Sequence, residues 1–285
     1  MKKTYYRGII LAGICLAFSA GMAVQAQKLK NVQEGGVVAP AGIRVDGKDT
    51  EWNNIFQAEN KTTSLFYTMS NDDKNLYLVV KSVDVANNSK IMAGGITLAI
   101  NTEGKKKESD AITLTYPLIN RNNPGGGERR RVGGFFGGGQ GGGGQRSAEQ
   151  RDSMMAAMQK TQLAQVKEIK IKNFKNTTDT LVSIYNDLGI KAVARINDDK
   201  SLFYELAIPL ESLGLSRTSP REFAYNVKLN GLQLPGLDGG GFGGGRGNGG
   251  GGFGGGRGPG GRGPGGIDFQ ALTSPTDFWG KYTLK

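Results

Sequence analysis

Two acidic pairs, Asp72-Asp73 and Asp198-Asp199, have the type and spacing that suit a metal, because neighbouring carboxylates offer the hard oxygen ligands that calcium takes. Each pair also lies in a run, Asn71 to Lys74 or Asn197 to Lys200, where a chain reversal calls for aspartate or asparagine. All four residues are therefore turn formers that could also bind calcium. Glu205 and Glu211 flank Ile208-Pro209, but a glycosidase needs two carboxyls paired across a sugar as acid and base, and nothing in the spacing pairs these. Glu205 is expected on the outer, solvated face of a strand. Phe278 and Trp279 offer rings on which a ligand could stack, while Trp52 is expected to pack beneath a first strand. Met69 and Met92 have thioethers of the kind that serve as axial haem ligands, with lysines elsewhere to act as a second ligand.

What the chain lacks narrows the chemistry further. It contains no histidine, which removes the commonest general base, the commonest metal ligand and every Ser-His or Cys-His nucleophile arrangement. Its single cysteine, Cys15, lies in an apolar N-terminal run that is expected to be removed. No disulfide and no thioether-linked haem is expected in the remainder. The chain is expected not to be an enzyme.

These residues must be positioned by strands. Apolar and polar residues alternate with period two through Ile112, Leu114, Tyr116 and Leu118, and again through Ile169 and Ile171. The same pattern runs from Ile190 to Ile196, from Leu202 to Ile208 and from Phe223 to Leu229. Leu76 to Val80 is apolar on both faces and reads as a central strand, with Ile96 to Ile100 a weaker copy. Ile43 and Val45 running into Asp46-Gly47 read as a short first strand ending in a turn. About nine strands with turn residues between them predict an all-β fold, a single antiparallel, jelly-roll-like sandwich. One helix interrupts it: Ser147 with Gln150 forms a capping box before Met154 to Val166, and Met155, Met158, Leu163 and Val166 make its packing stripe.

Three further segments stand apart. Lys2, Lys3 and Arg7, the apolar run Ile9 to Ala20, and Val24-Gln25-Ala26 predict a signal peptide over residues 1–26, cut before Gln27. Export to the periplasm or the cell exterior follows from that reading, with no transmembrane segment left in residues 27–285. Loss of Lys2, Lys3 and Arg7 would lower the formal charge from +11 to +8. Residues 121–146 and 235–267 are glycine-rich and lack an apolar pattern, which predicts long loops inserted into one domain. The second carries Phe242, Arg246, Phe253, Arg257 and Arg262, whose cations and rings could contact an acidic polymer. For an exported chain that partner is an acidic polysaccharide or a cell surface, and nucleic acid is not expected.

Several fragments, in order, resemble family 9-like carbohydrate-binding modules of exported bacterial proteins. They are Val45-Asp46-Gly47 with Glu51-Trp52, Asp73 with Asn75-Leu76-Tyr77, and Glu205-Leu206-Ala207-Ile208-Pro209 with Leu213. The resemblance spans Ile43 to Leu234 and the last strand, apart from the glycine-rich runs. It implies a single β-sandwich that binds an oligosaccharide or polysaccharide and carries calcium. Sugar-binding members of the family clamp the sugar between two tryptophans. Here only Trp52 and Trp279 are present, and they do not form a recognisable clamp. A cell-envelope adhesion protein working through its loops and a haem-binding electron-transfer module are the alternatives, and oligomeric state is left open.

Overall fold

The structure, a computed structural model, describes residues 28–53, 55–119, 147–218, 221–232 and 269–285. The expected signal segment and both glycine-rich runs lie outside these residues, and with them Phe242, Arg246, Phe253, Arg257 and Arg262.

Two antiparallel sheets face each other. The five-stranded sheet orders β1 (Ala58–Asn60), β2 (Leu65–Asn71), β3 (Asn75–Ser82), β9 (Leu202–Pro209) and β8 (Lys191–Ile196). The six-stranded sheet orders β11 (Thr276–Tyr282), β10 (Phe223–Leu229), β4 (Ile96–Asn101), β5 (Ile112–Tyr116), β6 (Glu168–Lys172) and β7 (Leu181–Ser183). The fold is an all-β sandwich. Period-two side chains from both inner faces build one core, in which Leu78, Val80, Leu98, Leu114, Leu206 and Val227 are almost fully buried. Across it the rings of Tyr67 and Phe278 lie 4.8 Å apart, and the hydroxyls of Tyr67 and Tyr225 are hydrogen-bonded at 3.0 Å.

The five-stranded sheet is buried on its second face as well. Residues of the segment before β1 cover it: Trp52 and Phe56 pack with Tyr77, Val79, Phe203 and Ala207 in a second apolar cluster, flanked by Ile43 and Val45. This corrects the expected first strand. Ile43 to Val45 forms no ladder, because it lies across the sheet as a covering layer, and the next backbone N–H groups turn down to a side chain beneath.

Four described helices decorate the sandwich: α1 (Val85–Gly94), α2 (Ala148–Ala164), α3 (Leu210–Leu213) and α4 (Phe269–Thr273). Helix α2 has the predicted capping box, with the Ser147 Oγ accepting from the Gln150 N–H and the Gln150 Oε1 accepting from the Ser147 N–H, each at 3.2 Å. Its packing face centres on Leu163 and Gln159, while Met155 and Met158 are only half-buried. Helix α1 was not predicted. Asp84 caps it by accepting from the N–H groups of Ala86 and Asn87, a short-range signal masked by the strand pattern around it. No described helix is long and apolar enough to cross a membrane.

Candidate functional site

The site begins with a buried acid. Glu205 sits on the covered face of β9 and is 1% exposed. Its Oε2 accepts from the backbone N–H of Asp46 at 3.0 Å and of Gly47 at 2.6 Å, and its Oε1 accepts from the Trp52 indole N–H at 2.7 Å. Burial pushes its carboxyl above the ordinary range, against the pull of the three hydrogen bonds. The expectation of a solvated Glu205 is therefore wrong: period two placed it away from the main core, but the preceding segment buries that face too. Trp52 is buried, but against β3 and β9 and not beneath a first strand, and it donates to Glu205.

The carboxylate holds the Asp46-Gly47 turn against β8. Gly47 has φ +78, and a Cβ there would come within 2.7 Å of Arg195 Cγ and Cδ and 2.8 Å of Val193 Cγ1. Only a bare α-carbon lets the Arg195 stem lie across the turn. Val193 is also the ladder partner of Glu205, so one pair of strands places both sides of the contact.

A cleft of about 700 Å³ opens here, within the range usual for small-molecule sites. Gly47, Lys48 and Asp49 form one wall, β8 from Ala192 to Ile196 the second, and Lys160, Leu163 and Lys167 of α2 and its exit the third. Asp198 and Asp199 stand at one end, near Lys160 and Lys81 respectively, at 3.9 and 3.8 Å. Tyr116 also lines the cleft, and burial pushes its hydroxyl up to about 12. Next in sequence to the lining residue Ile184, Tyr185 is 76% exposed, and the Nζ of the lining residue Lys167 is 5.9 Å from its ring centre. Five cations line the cleft against three carboxylates.

The predicted site residues divide. Phe278 is corrected: it faces the core, where its ring packs on Tyr67 and Tyr225. Trp279 alternates to the outer face of edge strand β11, half-buried, opposite Asn226. Met69 and Met92 are buried in the core, so haem ligation through either would require the core to open.

The four aspartates do not converge. Asp72 and Asp73 precede β3 and Asp198 and Asp199 precede β9, and the antiparallel pairing of those strands puts the two turns roughly 20 Å apart. Asp72 caps its turn, its Oδ1 accepting from the N–H groups of Lys74 and Asn75 and its Oδ2 from the Tyr77 hydroxyl. Burial would raise its carboxyl, but those bonds outweigh it and hold it low. Asp73 pairs with Arg217. Asp199 accepts from the N–H and the hydroxyl of Ser201, and these bonds with Lys81 nearby outweigh burial and lower its pKa. Among the described residues no three acids gather as a metal site. Tyr185 was missed because it falls in the irregular stretch after β7, Ile184 to Asn186, with no periodicity; an aromatic in a polar loop was the available signal.

No protein-family model matches this sequence, and no curated protein does. Among solved structures the chain is similar to a family 9 carbohydrate-binding module from Caldicellulosiruptor kristjanssonii in complex with glucose. The similarity covers 88% of this chain and 95% of that one, at 11% identity and a TM-score of 0.36.

Proposed function

We propose that this chain is a non-catalytic carbohydrate-binding module whose oligosaccharide lies in the cleft between α2 and β8 and stacks on Tyr185. The observation that carries this reading is the exposed Tyr185 ring beside Lys167, a residue lining a cleft walled by lysine, arginine, asparagine and aspartate side chains. Sugars present apolar ring faces and many hydroxyls, and they need that combination of a platform and hydrogen-bonding walls. The order of the motif fragments supports it, since Asp46-Gly47, Trp52 and Glu205 meet in one hydrogen-bonded unit that shapes a wall.

Catalysis is left out of the reading on chemical grounds. Glycoside hydrolysis needs a carboxyl held protonated beside the sugar. Glu205, whose pKa is raised, is sealed beneath Trp52, and Asp199 in the cleft is shifted the opposite way. Export, with a mature N-terminus at Gln27, belongs to the same proposal.

Titration calorimetry with cello-oligosaccharides and other short glycans tests it. Tyr185→Ala should weaken binding about tenfold or more, the scale of a lost stacking platform, while Trp279→Ala at the opposite edge of the six-stranded sheet should leave it unchanged. The reverse pattern would move the site to β11.

A further inference from the structure

The geometry points to an acidic saccharide as the ligand, its carboxylate or sulfate held by Arg195 and Lys167. This inference rests on the cleft reading above and adds the chemical class. Of the cations in the lining, Lys81 and Lys160 each face an aspartate within 4 Å, and Lys48 has Asp46 at 3.8 Å. Arg195 and Lys167 form no ion pair with any described residue; Lys167 has only the face of Tyr185.

The stem of Arg195 also lies close over the turn. It crosses Gly47 at a distance no other residue would permit, and Glu205 fixes Gly47 from below. A guanidinium at a cleft wall with no described carboxylate paired to it suits a planar carboxylate or a sulfate, which it grips through two parallel N–H bonds. Lys167 adds a point charge beside the stacking ring, so a uronate sugar could place its ring on Tyr185 and its acid group between the two cations. Three acids oppose this. Asp198 and Asp199 already face Lys160 and Lys81, which leaves Asp49 as the carboxylate of the lining without an ion pair among the described residues.

The full chain is titrated with tetragalacturonate and with cellotetraose at low and high salt, alongside Arg195→Gln, Lys167→Gln and the double variant. Both side chains are exposed, so the variants should fold, and circular dichroism checks that they do. The expected result is tighter binding of tetragalacturonate that weakens with salt, and in the double variant a loss of about tenfold or more for tetragalacturonate, with a smaller, salt-independent loss for cellotetraose. Equal or tighter binding of cellotetraose by the wild type would overturn the acidic assignment and leave the cleft reading standing. Undiminished acid binding by the double variant would also overturn it, by moving the contact elsewhere, such as to the arginines of residues 235–267. Binding of neither sugar would overturn this inference together with the reading beneath it.

Discussion

Three N–H groups converge on the Glu205 carboxylate, and no described cation pairs with it. Glu205→Gln keeps the volume but turns an amide N–H₂ toward one of those donors. The cost should be about 1–3 kcal/mol, the usual penalty for a buried polar group left unsatisfied. The pH dependence has a definite sign. The folded pKa lies above the ordinary 4.5, so the native state binds the proton more tightly than the unfolded chain. The stability this group contributes is fully present below the unfolded value and is lost as pH rises through the folded one. Denaturant titrations across that window should therefore show the wild-type advantage over Glu205→Gln to be widest in acid and to shrink toward neutrality. An advantage that grew with pH would mean the three hydrogen bonds outweigh burial.

At the level of elements, β8 is an exposed sheet edge that the molecule manages by flanking it. An unpaired strand edge invites another chain to add to the sheet, and here the 46–49 turn and α2 stand on either side of it. The helix has few anchors: it is mostly exposed, with Leu163 5% exposed and Gln159 1% exposed beneath it. Leu163→Ala should cost about 2–5 kcal/mol by removing buried methyl groups and leaving a cavity. Hydrogen exchange should rise through Ala148–Ala164, and sugar affinity should fall with it. Unchanged exchange in α2 would show that its capping box and Gln159 hold it without Leu163.

For the whole molecule, the covering segment ties the two sheets together. The Tyr282 hydroxyl at the end of β11 meets the Val37 carbonyl at 3.0 Å and the Asn71 Oδ1 at 2.9 Å, and it accepts from the Val37 N–H at 3.2 Å. One oxygen thus links the six-stranded sheet, the five-stranded sheet and the layer over it. Tyr282→Phe should lower stability by about 1–3 kcal/mol while unfolding stays a single transition. A second, earlier transition would show that the covering layer melts on its own.

By itself the sequence determined most of the strands, the aspartate turns and the capped helix α2, because these depend on short-range order, although Ile43 to Val45 reads as a strand on the same grounds and forms none. Period two around Leu114, Ile169, Leu206 and Val227 marks strands with one face on the main core wherever they pair. Asp72 and Asp199 bond backbone within three residues, as turn formers must. The tertiary structure alone decided which faces are covered. Period two told that Glu205 points away from Leu206, but it could not tell that residues far earlier in the chain lie over that face, because burial by a distant segment leaves no mark on local periodicity. The cleft follows the same rule. The β6–β7 pairing sets Lys167 beside Tyr185, while Gly47 is far from both in sequence and meets Arg195 only through the fold of the covering segment over β8.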